Sequence, residues 1–165
     1  MPAASKPRRK REMQMGQRPV VTVDDVTRVQ LEPRRPGCEK GVMHVEGAVQ
    51  TAVFRVAPGS GVPVHLHSQV FDLFIGIKGL LEIRYEGLEG NGKFELKPGG
   101  FCAMPPGVRH EVFNPSTSDE AFFLSVHAPH DRYDFIPVDF GQIAAALHDR
   151  QYVATQHAAP PDASR

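Results

Sequence analysis

The chain has 165 residues, 41% of them hydrophobic and 23% charged, and its 19 basic and 19 acidic residues cancel to a formal net charge of zero. Those values fit one domain with a single core. No run approaches the ~20 apolar residues of a spanning helix, so a helical membrane protein is excluded.

The first 18 residues hold Lys6, Arg8, Arg9, Lys10, Arg11 and Arg18 against Glu12 alone. Nothing beside this run supplies groups that read bases, so a solvated basic tail over 1–18 is expected and nucleic acid is not an expected partner. The segment also lacks the apolar stretch of a signal peptide, which makes the cytoplasm the expected address.

Brief apolar runs then follow, punctuated by Gly, Pro and Asn: VVTV, GVMHVEG, TAVFRVAPG, FDLFIGIKG, LLEIRYEG, KFELKPGG, FCAMPPG, HEVFNP and AFFLSVHAP. Their spacing predicts an all-β barrel or sandwich over residues 19–140. Asn91-Gly92 predicts a tight hairpin between strands near Leu80–Tyr85 and Lys93–Leu96. Cys38, in a Pro/Gly-rich loop, and Cys102, in an apolar run, are expected to be free thiols.

Residues 141–165 are expected to hold a short helix and a tail without a core-forming pattern. Asp139 is placed to cap that helix, with Ile143, Ala144 and Leu147 on one face.

Chemistry concentrates in two stretches. In PGSGVPVHLHSQVFDLFIGIKG, His65 and His67 are one residue apart, and alternate strand residues share a face. Buried imidazoles need partners, and two on one face converge on an ion if the strand bends. The second stretch, GGFCAMPPGVRHEVFN, sets His110 just after a Pro-Pro-Gly turn.

The two stretches together resemble the cupin family. Its first motif runs Gly, five residues, His-any-His, three or four residues, Glu, six residues, Gly, and is met by Gly59, His65, His67 and Gly79, with Asp72 where the family has glutamate. Its second motif runs Gly, five residues, Pro-any-Gly, two residues, His, three residues, Asn, and is met throughout by Gly99, Pro105, Gly107, His110 and Asn114. The resemblance implies a single double-stranded β-helix (jelly-roll) barrel.

It also implies that His65, His67, Asp72 and His110 bind a divalent metal inside that barrel. Three imidazoles and a carboxylate suit Fe, Mn, Ni, Cu, Co or Zn better than Mg or Ca. Asp72 is one methylene shorter than the family's glutamate, which leaves three roles open to it: ligand, orienter of a histidine, or structural residue. Gln69 fits neither the spacing nor the strand alignment.

His127 is the one candidate for contact with substrate, set against the plainer reading of a hydrogen-bonded strand histidine. His127, Asp72 if it is not a ligand, Glu82 and Tyr85 are the candidates for a base, while His44, His130, His148 and His157 read as surface residues. With ten Phe and no Trp, an apolar pocket favours an oxygenated aromatic or an enol- or diketone-like substrate. The expected activity is dioxygenase-like. A metal-dependent isomerase, cyclase or lyase is the alternative, and a non-catalytic small-ligand-binding module the competing class. A homodimer is expected, with PVVTVDDVTRVQL available as an exchanged strand.

Overall fold

The computed structural model describes residues 20–88 and 90–140. The basic tail, the helix expected beyond Asp139 and the C-terminal tail lie outside the described residues. Eleven strands are described: β1 (Glu32–Arg35), β2 (Cys38–Glu46), β3 (Val49–Val56), β4 (Gly61–Leu66), β5 (Phe71–Lys78), β6 (Leu81–Gly87), β7 (Gly90–Leu96), β8 (Phe101–Met104), β9 (Arg109–Phe113), β10 (Ala121–Ala128) and β11 (Ile136–Pro137). Two 3-10 turns, Val26–Arg28 and His130–Arg132, complete the elements.

Six strands form one sheet in the order β1-β2-β3-β10-β5-β8, and five form the other in the order β11-β4-β9-β6-β7. All the neighbouring pairs with a described register are antiparallel. This is the all-β jelly-roll barrel that the sequence predicts. Among the described residues no helix is long and apolar enough to cross a membrane.

The core fills the space between the sheets, as two-layer β architectures require. Phe74, Leu81, Ile83, Leu96, Val112 and Phe123 are its large members. Phe123 stacks on Phe54 at 4.8 Å and meets Phe74 edge-on at 5.5 Å. Along β10 the inward residues are Ala121, Phe123, Ser125 and His127, so one strand turns from apolar packing to polar groups at its far end.

Three local expectations are corrected. Asn91 and Gly92 lie within β7, opposite Glu86 and Tyr85, and the hairpin closes instead between Gly87 and Gly90. That register sets Leu81 against Leu96 and Ile83 against Phe94; apolar cross-strand pairing outweighs the local turn preference. Within the strand, Gly92 leaves room for the Tyr85 ring, whose hydroxyl a Cβ there would meet at 2.8 Å.

The VVTV run is not a strand, and Val20, Val21 and Val23 are exposed. Cys38 begins β2 and is buried rather than lying in a loop. It and Cys102 are both free thiols.

Candidate metal centre

The site begins with an irregularity in β4. Val62 pairs with Val112 and His65 with His110, so three residues of β4 advance against two of β9. The extra residue is a β-bulge at Pro63 and Val64, where a proline costs the ladder least. It turns His65 inward although Val62, three residues earlier, also faces in. His67 follows just beyond the strand, held by its carbonyl accepting from Gly107 N–H at 2.8 Å. Gly107 makes that turn at φ 82°, a conformation that side chains disfavour. Asp72 comes from β5 and His110 from β9, and all four residues are buried.

Each imidazole is oriented by a backbone carbonyl. Nδ1 of His65 donates to Pro63 O at 2.8 Å, Nδ1 of His110 to Val108 O at 2.9 Å, and Nδ1 of His67 to Asp134 O. A carbonyl only accepts, so each proton sits on Nδ1 and each Nε2 keeps its lone pair. One ligand atom from each of His65, His67, Asp72 and His110 lies within 4.8 Å of all the others.

Nε2 of His67 and Nε2 of His110 are buried with no hydrogen-bond partner. Buried polar atoms are nearly always paired. Two unpaired imidazole lone pairs facing one carboxylate therefore make a donor set that fits a transition metal.

The Asp72 carboxylate divides its two oxygens. Oδ2 stands 3.5 Å from His67 Nε2 and 3.9 Å from His110 Nε2. Oδ1 accepts from Ser125 Oγ at 2.8 Å and lies 3.1 Å from His127 Nε2. The shorter side chain thus reaches the cluster, and its second oxygen is fixed. Burial works against its charge, but His110, His127 and His67 together hold it well below the usual carboxylate range.

Burial and the neighbouring His110 push His65 down to about 3, which keeps it neutral. For His67 burial acts downward, yet Asp72 and the Asp134 carbonyl outweigh it and raise the value.

His127 is buried on the inward face of β10, directly across from Asp72 in the strand register. Above the cluster, residues 129–137 cross the barrel mouth. Phe135 stacks on His65 at 4.2 Å, and Tyr133 lies 4.9 Å from His67 and 4.7 Å from His127. Asp134 anchors the crossing through Ser68, whose hydroxyl donates to it at 2.6 Å.

The remaining candidates fall elsewhere. Glu82 is taken by Arg84 and Lys93, each at 2.9 Å. Tyr85 packs over Gly92. Gln69 is exposed and accepts from Arg132. His44 is exposed, as expected, and His148 and His157 lie outside the described residues.

His130 corrects the sequence reading. It is partly buried, and its ring centroid stands 6.4 Å from that of His127. The sequence also gives no periodic signal for Tyr133 and Phe135, whose role depends on a chain crossing. A cavity of about 640 Å³ opens near Arg34, Arg35, Glu39, Arg55 and Glu120, and none of the four ligand candidates lines it.

Comparison with known proteins agrees with this architecture. A family model described as a cupin domain matches residues 52–127. An oxalate oxidase structure superposes with a TM-score of 0.60 at 17% identity, covering 82% of this chain and 72% of that one. A protein with a double-stranded β-helix domain from Klebsiella pneumoniae gives 0.55 at 22% identity, covering 70% and 97%. A further structure, of a protein from Thermus thermophilus, gives 0.56 at 23%, covering 65% and 96%. At these identities the likeness is one of fold. No match is found among curated proteins.

Proposed function

We propose, starting from the cupin domain that residues 52–127 carry, that this chain binds a divalent transition metal through His65, His67, Asp72 and His110 and acts on a small organic substrate. The reading rests on one observation: the buried, unpartnered Nε2 atoms of His67 and His110 beside Asp72 Oδ2. Fe, Mn, Ni, Cu, Co or Zn held there would supply a Lewis acid, and the redox-active ions would open oxygen chemistry as well.

The chain's own residues define the rest. The three Nδ1 anchors fix the rings before anything binds, which lowers the ordering cost of the site. Phe135 over His65 and Phe74, 5.8 Å from His110, exclude water and present apolar surface. That environment favours an oxygenated aromatic or an enol- or diketone-like substrate and dioxygenase-like chemistry.

A second reading, a metal-dependent isomerase, cyclase or lyase, is favoured by His127. Its Nε2 lies 3.1 Å from Asp72 Oδ1, within the distance a proton-transfer group needs. We also infer a homodimer, since Val20, Val21 and Val23 stand exposed; a monomer by light scattering would remove that inference.

The deciding measurement is metal content by plasma emission on protein purified without chelator, beside His110→Ala. Near-stoichiometric iron, copper or nickel, lost in the variant, supports oxygen chemistry, and zinc or manganese supports the second reading. A wild type that holds no metal and takes up none on reconstitution overturns the proposal and leaves a ligand-binding barrel.

A further inference from the structure

Beside the four ligand candidates lies a second set of polar side chains that metal binding leaves unused. Lys40 on β2 donates to Gln50 Oε1 at 2.7 Å, and its Nζ lies 5.3 Å from the Phe54 ring centroid and 5.7 Å from that of Tyr133. Because an ammonium only donates, this bond fixes the Gln50 amide, whose NH2 then faces His130 Nε2 at 2.9 Å. His130 Nε2 must accept, which puts the proton of the neutral ring on Nδ1. That Nδ1 is buried and has no partner.

His127 has the opposite tautomer: its ring is within 17° of parallel to that of His130, but its Nε2 donates toward Asp72 and Ser125, so its buried, unpartnered Nδ1 is an acceptor. Among the described residues no carboxylate lies within 4.0 Å of the Lys40 ammonium. Two unpaired imidazole nitrogens and a half-buried cation, which feels the Asp72 charge without touching it, thus surround the ring of Tyr133. Buried polar atoms are nearly always paired, so these unpaired atoms point to a ligand.

We propose that Lys40, His130 and Tyr133 form a subsite for a carboxylate group of the substrate, next to the metal centre. The proposal deepens the small-molecule reading above and rests on it. A carboxylate accepts from the ammonium and from the His130 Nδ1–H, and a charge-assisted bond of that kind is among the strong ones. A single ammonium suits a monoanion better than a phosphate, which calls for more donors. Tyr133 joins the two halves, since its ring also lies against His67, so an anion held here presents the rest of its molecule to Asp72 and the histidines.

Access agrees with this arrangement. Tyr133 is 38% exposed, whereas His65, His67, Asp72 and His110 are each exposed by 3% or less.

Matched probes test the subsite: acetate with acetamide and benzoate with benzamide, titrated calorimetrically into the full-length chain, both chelator-treated and reloaded with zinc. Chelator-treated protein is expected to bind at least one carboxylate tenfold or more tightly than its amide, and Lys40→Met to abolish that preference. His130→Asn, with folding checked by circular dichroism, serves as a second variant if Lys40→Met does not fold. Equal binding of acid and amide in both pairs overturns the proposal, as does a preference that survives in both variants. Zinc content measured on the same samples separates failure of the subsite from failure of the metal reading.

Discussion

His127 Nε2 stands 3.1 Å from Asp72 Oδ1, the carboxylate oxygen turned away from His67 and His110. The same oxygen accepts from Ser125 Oγ. One side of the carboxylate is therefore held so that the other can face the ligand cluster. Partners of this kind are worth about 10- to 100-fold in metal affinity. Ser125→Ala and His127→Phe are each expected to weaken metal retention within that range, as read by competition with a chromophoric chelator. Unchanged retention in both would show that Asp72 needs neither.

Acid should destabilise the metal-free protein through His65. Its folded-state value is depressed to about 3 from 6.5, so the unfolded chain takes up the proton first. That contribution is complete above pH 6.5 and falls as pH drops toward 3, by about 1.4 kcal/mol per pH unit. His67 has the opposite sign: with its value raised, its contribution is present below pH 6.5 and is lost as pH rises through the folded-state value. Urea midpoints of chelator-treated protein are therefore expected to decline from pH 6.5 to 4.5, with a shallower decline in His65→Gln. Equal slopes would assign the acid sensitivity elsewhere.

Phe123 joins both halves of the aromatic core, between Phe54 and Phe74. Phe123→Ala is expected to cost about 3–5 kcal/mol in denaturant unfolding. A loss below about 1 kcal/mol would mean that the neighbouring rings collapse into the gap.

Gly79 ends the first motif at φ 73°, and a Cβ there would come within 2.9 Å of Glu120 O. Gly79→Ala is expected to destabilise by more than about 1 kcal/mol while leaving the ligand cluster in place. Thermal melting and metal content on one preparation would check both parts.

The barrel and the gathering of His65, His67, Asp72 and His110 were legible in the sequence because strand alternation and motif spacing are local properties. Asn91-Gly92 misled, since a two-residue turn preference is smaller than the gain from setting Leu81 and Ile83 against Leu96 and Phe94. His130 was misjudged for a different reason. Its neighbours Lys40 and Gln50 come from strands some 80 to 90 positions earlier, brought near only by the β3–β10 pairing. Tyr133 and Phe135 belong to a crossing with no period, so nothing in their order announces the rings beneath them.

The extra residue in β4 also sets a rule for altering this chain. Side-chain facing in a strand has only two values, and the bulge flips that value once between Val62 and His65. Deleting either Pro63 or Val64 would let the ladder run regularly and leave Val62 and His65 two residues apart, so His65 would still face inward opposite His110. Regular pairing with both residues kept would do the reverse, carrying His65 to the outer surface while the barrel persisted, so the bulge is what sets the side on which this histidine stands.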